Sequence, residues 1–313
     1  MKRLVVPRRK ALQILGLATG ALAWVPKAFA QAVSPDDFAG VLAQQQTQNP
    51  TRQSTEYQTL RTVRSGRVLI VTLSNPPRNE LALPVIEDLT RVFEREAMQK
   101  DVGAIVITGE NEFFSGGAGR TNYLRTKPNE PDNPTPQLAV ALYDRIETYP
   151  KVVIAAINGL SQGGGNEMAL ACDFRIASDT ATFLQPEILA GVLPGWGAMQ
   201  RLQRIVGRAH TLDMMLTARE VSAPKALAMG MVNEVVRLAQ LQQRALELAT
   251  LLATRAPLAI PAIKTRIARG PDEPQSAAIR RDVAAFYDLV RTEDYQNGAR
   301  ALNAGRQPQW RGL

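Results

Sequence analysis

An α/β domain assembled from strand–helix crossover units is the fold class expected from the sequence, on three observations. Short runs rich in Val and Ile recur along the chain, stretches with helical apolar spacing separate them, and two of the runs lead into glycine-rich turns. Val68–Leu73 reads as the first strand, since β-branched residues suit a pleated buried surface and Ser74-Asn75-Pro76-Pro77 stops it. Pro84 fits the first turn of a helix, where its missing N–H costs little, and Ile86, Leu89, Val92 and Phe93 follow at helical spacing. Gly103–Thr108 is a second, buried-looking strand. Beyond Gly119 the prolines at 128, 131, 134 and 136 predict a loop that borders a site. Gln137–Tyr149 has the pattern of a helix and Lys151–Ile157 that of a third strand. Past Gly207 the chain reads as mostly helical, with amphipathic stretches near Gln240–Ala253 and Gln275–Thr292, and no internal repeat is visible.

The chain has 313 residues, 45% hydrophobic, 21% charged and 5% aromatic. That composition excludes a disordered chain, a multi-pass membrane protein and a disulfide scaffold. The formal charge of +8 suggests a polyanionic partner until its location is examined. Residues 1–30 hold six of the 37 basic residues and no acid, so the rest carries 31 basic against 29 acidic residues. A body so nearly neutral offers no electrostatic reason for nucleic-acid binding.

The basic leader itself reads as an address. Lys2 to Lys10 is a positive region, Ala11–Val25 an apolar one too short for a comfortable bilayer span, and Ala28-Phe29-Ala30 a small-x-small cleavage site. The Arg8-Arg9 pair with Leu12 resembles a twin-arginine export signal, although Ala11 stands where that motif favours Phe. The expectation is a periplasmic protein cleaved after Ala30, or a cytoplasmic one if the leader is not used as a signal. A polar arm rich in Gln, Thr, Ser and Asn, residues 31–58, follows. The single thiol, Cys172, cannot form an internal disulfide and tolerates either compartment.

The chemistry concentrates in two turns. Asn158-Gly159-Leu160-Ser161-Gln162-Gly163-Gly164-Gly165-Asn166-Glu167 ends a strand in three glycines and starts a helix. Such a turn leaves helix-initial N–H groups aimed at whatever anion or carbonyl occupies the gap. Phe114-Ser115-Gly116-Gly117-Ala118-Gly119 forms a second small-residue turn after the second strand. Together the two can supply two amide donors to one oxygen, an oxyanion hole. A phosphate loop fits less well, because no Gly-Lys-Ser/Thr ending follows and the glycines lack dinucleotide spacing. Read alone, Glu167 near a helix start is equally a partner for the helix dipole, and Glu187 a loop acid.

These residues resemble the crotonase (enoyl-CoA hydratase/isomerase) superfamily. The likeness runs from Ala155-Ala156-Ile157-Asn158-Gly159 through the triple glycine to Cys172-Asp173, then Phe183–Ile188, Gly191-Val192-Leu193-Pro194-Gly195, Gln200-Arg201-Leu202, Leu216-Thr217 and Ala226–Val236. It spans about Tyr57 to Leu313. The resemblance implies a spiral of ββα units over residues 59–255 and a C-terminal helical region, 256–313, that supports a homotrimer or hexamer. It implies an acyl-CoA substrate, no metal, no bound redox cofactor and no stable membrane span. The amides of Ala118 and Gly164 would polarise a thioester carbonyl, Gly195 would help hold a water, and Gly117, Asn166 and Trp196 would border the substrate pocket.

The family's hydratases use two glutamates, matched here by Glu167 and Glu187. Adding water to an enoyl thioester builds negative charge on the carbonyl oxygen, which the two amides stabilise. One carboxylate activates the water and a protonated partner delivers the α-proton. Crowded carboxyls in a dry site separate in pKa and so divide these roles. Glu167 is assigned as base and Glu187 as acid, with the reverse left open.

Three positions depart from the family. Gly119 replaces a usual Asp, Asn166 a small residue, and Trp196 a usual Ala; these bear on the substrate more than on the fold. His210, the only histidine, lies outside every motif, so no His-based triad or metal site is expected. Cys172 reads as a core thiol, and Phe286 and Tyr287 as packing residues of a late helix that in relatives meets neighbouring subunits and helps enclose CoA. Arg120 and Lys127 are surface charges near the second turn, within reach of phosphates. Because acyl-CoA is a cytoplasmic currency, two alternatives stand beside the hydratase: an exported enzyme for a non-CoA carbonyl substrate, or a non-catalytic oligomeric binding protein.

Overall fold

A computed structural model of the chain describes residues 57–119 and 133–313. The export-signal reading of 1–30, nearly all of the arm 31–58, and Arg120 and Lys127 lie outside the described residues. Strand β1 (Leu60–Ser65) turns back onto β2 (Val68–Leu73) through Gly66-Arg67, where Gly66 takes φ +55°, a conformation that favours glycine. Helix α1 (Leu83–Glu94) follows, with Pro84 in its first turn and Val85, Ile86, Leu89, Val92 and Phe93 buried. Strand β3 (Ala104–Gly109), short strand β4 (Phe113–Ser115) and helix α2 (Thr135–Glu147) come next. The pattern then repeats as β5 (Val152–Ile157), β6 (Leu160–Gln162) and α3 (Gly164–Ala171), and again as β7 (Phe174–Ser178) and β8 (Thr182–Leu184) with a 3-10 turn at Glu187–Ala190.

Long strands feed one sheet and short strands another. The larger sheet runs β1-β2-β3-β5-β7-β10, where β10 is Glu234–Val236; every pairing but β1–β2 is parallel. The smaller runs β4-β6-β8-β9, where β9 is Val221–Ser222. The first turn gives both β1 and β2 to the larger sheet, and from β3 onward each turn contributes one strand to each sheet, the expected ββα arrangement. All residues of β3 and β5 are buried, as a parallel sheet covered on both faces requires. This explains why both strands read as continuous apolar runs rather than alternating ones.

After Glu187–Ala190 the chain is largely helical: α4 (Ala198–Thr217), bent at Gly207 with φ +77°, then α5 (Ala223–Ala228), α6 (Leu241–Leu252), α7 (Ala259–Arg269), α8 (Gln275–Val290) and α9 (Glu293–Asn303). Helix α2 begins two residues before the expected Gln137, because Pro136 is accommodated in its first turn. No helix among the described residues is long and apolar enough to cross a membrane.

Helices α7 and α8 bury no residue fully and expose Ile263, Ile267, Ile279, Val283, Phe286 and Tyr287. One buried ion pair nevertheless ties α7 to the spiral. Lys264 Nζ lies 2.7 Å from Asp173 Oδ2 and donates to the Lys151 carbonyl at 2.9 Å and the Ile146 carbonyl at 3.3 Å. The Asp173 carboxylate also accepts from Val153 N–H. Burial pulls the Lys264 pKa down, with Asp173 opposing. Replacing Lys264 by Met would strand this carboxylate, and stranded buried charges cost about 3 kcal/mol or more. The expected outcome is a lower urea midpoint for Lys264→Met, partly recovered by adding Asp173→Asn; an unchanged midpoint would show that α7 docks without this tie.

Candidate active site

The two glycine turns meet. Helix α3 is preceded by the cap residue Gly163, whose φ of +49° only glycine adopts readily and whose N–H donates to the Leu184 carbonyl of β8 at 2.9 Å. A methyl group added to Gly117 would stand 2.6 Å from the Gln162 carbonyl oxygen and 3.2 Å from the Gly164 nitrogen. One added to Gly165 would stand 2.6 Å from Ser115 Cβ. Side chains at these positions would drive the turns apart. As the first residue of α3, Gly164 has an N–H with no intrahelical acceptor. Ala118 directly follows Gly117 at the same junction.

The Phe114–Gly119 turn is clipped from a segment outside both motifs, Arg78–Leu81. Asn79 takes φ +51°, and its amide donates to the carbonyls of Phe113 at 2.8 Å and Glu110 at 3.0 Å. The Ser115 hydroxyl donates to the Asn79 carbonyl and accepts from Gly117 N–H. Gly116 N–H donates to the Arg78 carbonyl, and Leu81 N–H to the Gly117 carbonyl, both at 2.7 Å. An Asn in the left-handed region is the one local signal for this clip. Gly119, where an Asp was expected from the resemblance, has φ +76°, and a methyl there would lie 2.4 Å from Glu80 Oε2. A carboxylate thus occupies that space, supplied by Glu80.

Glu167 lies in the first turn of α3 and is buried. Its Oε1 accepts from two backbone donors, Trp196 N–H and Ala198 N–H, each at 2.9 Å. Between them Gly197 sits at φ +112°. Arg201 holds the same segment: it donates to the Trp196 carbonyl at 3.2 Å and to Glu147 Oε2 at 3.0 Å, and pairs with Asp144 of α2. Burial raises the Glu167 pKa, while the two amides and the Arg201 charge oppose the rise.

Glu187 opens the 3-10 turn after β8 and is likewise buried. Its Oε1 would stand 2.8 Å from a methyl on Gly163, and its Oε2 has no hydrogen-bond partner. Burial pushes its pKa up to about 7; its own backbone N–H opposes, and the Glu167 charge adds to the rise. Glu187 thus stands beside Gly163, the cap of the helix whose first turn carries Glu167, close enough for the Glu167 charge to act on it.

The remaining candidates take distinct places. The Trp196 indole packs on Gly164: a methyl there would meet Cζ3 at 2.4 Å and Cε3 at 2.5 Å. It meets Tyr143 edge-on with centroids 6.0 Å apart, and the Tyr143 hydroxyl donates to the Gly164 carbonyl at 2.8 Å. Asn166, expected at the substrate pocket, is fully buried two positions from Gly164, which a helix turns to its far side; neither amide atom is hydrogen-bonded. Gly195 is exposed, with open space around its Cα. Cys172 is a core thiol pushed up to about 12 by burial. His210 is exposed on α4. Among the described residues no cluster of His, Cys, Asp and Glu could hold a metal.

Residues 64–312 match the family described as enoyl-CoA hydratase/isomerase. A probable enoyl-CoA hydratase of Bacillus subtilis is 31% identical over 246 residues, 78% of this chain and 95% of that protein. A short-chain-enoyl-CoA hydratase of Clostridium acetobutylicum is 34% identical over 241 residues, covering 76% and 92%. The crystal structure of an enoyl-CoA hydratase from Bacillus anthracis superimposes with a TM-score of 0.78 at 28% identity, covering 82% of this chain and all of that one.

Proposed function

Because the chain belongs to the enoyl-CoA hydratase/isomerase family, we propose that it adds water across the double bond of an enoyl-CoA thioester, with CoA entering only as part of the substrate. The observation that carries the reading is the pair of buried carboxyls, Glu167 and Glu187, flanking one helix-initial glycine turn. Relatives named as hydratases support it.

In this reading the thioester carbonyl accepts hydrogen bonds from the amides of Ala118 and Gly164. Glu167, ionised, takes a proton from water as the oxygen attacks the β-carbon. The amides of Trp196 and Ala198 occupy its Oε1, so Oε2 is the oxygen that accepts the proton. The electron pair of the double bond moves to the carbonyl oxygen as an enolate. Glu187, protonated, then delivers its proton to the α-carbon. The cycle leaves Glu167 protonated and Glu187 ionised, and exchange with solvent resets both. Gly195 contributes to the water site by its backbone. The exposed apolar faces of α7 and α8 support assembly as a homotrimer or hexamer.

Incubating the full chain with crotonyl-CoA and weighing the product tests the reaction type. Hydration gives a thioester heavier by one water, whereas unchanged mass with a migrated double bond would make the chain an isomerase. The basic leader favours a second reading, action on an exported non-CoA carbonyl compound; that reading predicts no binding of crotonyl-CoA.

The acid role sets a pH dependence. A Glu187 that must be protonated, with its pKa near 7, makes turnover fall above about pH 7 along a single-proton limb. The same shift acts on stability. A carboxyl whose folded pKa lies above its unfolded one contributes stability fully below the unfolded value, and loses it as pH rises through about 7. Glu187→Gln should therefore melt higher than the wild type at pH 8 while losing activity. An equal or lower melting temperature would show that Glu187 is not held neutral by its site.

A further inference from the structure

The hydratase reading leaves the acyl group open, and one buried side chain of the site bears on it. Trp196 serves the site twice. Its backbone N–H is one of the two donors on Glu167 Oε1, which fixes its backbone beside the carboxylate assigned as base. Its side chain reaches the oxyanion turn, where Cζ3 and Cε3 pack so closely on Gly164 that a methyl there would stand 2.4 and 2.5 Å away. The ring is 4% exposed and edge-on to Tyr143, which is itself anchored by its hydroxyl to the Gly164 carbonyl.

The indole is therefore locked from three sides. Gly164 lies under it, Tyr143 stands against it, and the Arg201 bond to the Trp196 carbonyl holds the backbone that carries it. A side chain so confined has no other rotamer to yield into when a longer ligand arrives. It takes up volume next to Gly164, whose amide is assigned to the thioester carbonyl. A small residue at this position would leave that volume to the acyl chain.

Resting on the hydratase reading, we infer that the Trp196 indole forms the end wall of the acyl pocket and confines the enzyme to short acyl-CoA thioesters. Chain length is thus set by a ring braced on the oxyanion turn, and Tyr143 acts through that ring as a positioning residue. A single methylene in an apolar pocket is worth roughly 10- to 200-fold in discrimination. A rigid wall that denies entry to several methylenes discriminates by far more.

The test compares the full chain with Trp196→Ala and Trp196→Phe on crotonyl-CoA and a decenoyl-CoA. The wild type should favour crotonyl-CoA in kcat/KM. The Ala variant should shift the ratio toward decenoyl-CoA by about tenfold or more, and the Phe variant by less. An unchanged ratio in both variants, with crotonyl-CoA still turned over, overturns the inference and leaves the hydratase reading intact. Binding of butyryl-CoA and decanoyl-CoA to the wild-type chain, followed by calorimetry, decides the matter without the variants. Butyryl-CoA should bind about tenfold or more tightly than decanoyl-CoA, and equal or reversed affinities overturn the wall. If both thioesters bind with the expected preference but no enoyl-CoA is hydrated, the reaction assigned above fails while the wall stands. If neither binds, both fall.

Discussion

Glu167→Gln is expected to lower kcat on a short enoyl-CoA by about a thousandfold or more, with a small effect on KM. The amide keeps the shape of the carboxyl, and its oxygen still accepts from Trp196 and Ala198 N–H, so the loop stays in place. What it lacks is a basic oxygen for the water proton. Because burial raises the Glu167 pKa, the ionised form is held in this site only by the two amides and the Arg201 charge. Gln needs no such support, so the variant should be at least as stable as the wild type. Glu187→Gln should fall comparably, since an amide has no proton to deliver to the α-carbon. The double variant should be little worse than either single one, as groups acting as a unit are not additive. Steady-state kinetics with a melting curve for each variant checks this. A rate within tenfold of wild type for either would remove that residue from the chemistry.

The second large effect falls on the oxyanion turn. Gly164→Ala places a methyl 2.4 to 2.5 Å from two ring carbons of Trp196, far inside contact distance. The ring is braced by Tyr143, and the Gly164 carbonyl is held by the Tyr143 hydroxyl, so relief must come from displacing α3 or the ring. Moving α3 moves the Gly164 amide off the carbonyl it would polarise, and losing one such donor costs about a hundredfold or more in kcat. Overpacking adds about 1–3 kcal/mol of destabilisation. The companion test is Gly164→Ala with Trp196→Ala, in which the methyl has room. That pair should be no less stable than Trp196→Ala alone, the signature of a relieved clash, and should regain part of the rate if displacement rather than the methyl itself was the cause. Full activity in Gly164→Ala alone would show that the amide does not contribute.

Much of this was legible in the chain. The three strands with continuous Val/Ile runs stand where expected because strands buried on both faces must read that way. The strands of the smaller sheet escaped because segments such as Phe113–Ser115 and Val221–Ser222 are too short to carry a period. The spiral and the long match through the glycine turns carried the family. At the site, the family resemblance led to Glu167, Glu187 and Gly164. The supports were hidden for physical reasons. Glu167 is held by main-chain amides, which leave no trace in residue type. Asn79 acts by backbone conformation and a clip to distant carbonyls. Gly119 departs from an expected Asp, and only the fold reveals that Glu80 reaches into the same space from another segment. Asn166 sits beside the glutamate in sequence, yet helix geometry turns it to the interior.

In the proposed reaction two buried glutamates beside the Gly163–Gly164 turn hydrate an enoyl thioester. The most direct measurement is the loss of enoyl absorbance when the full chain meets crotonyl-CoA, with Glu167→Gln and Glu187→Gln run in parallel. The account predicts turnover by the wild type and near-complete loss in each variant, with all three folded. A well-folded wild type that neither turns over nor binds the thioester, or a variant that retains the wild-type rate, would contradict it.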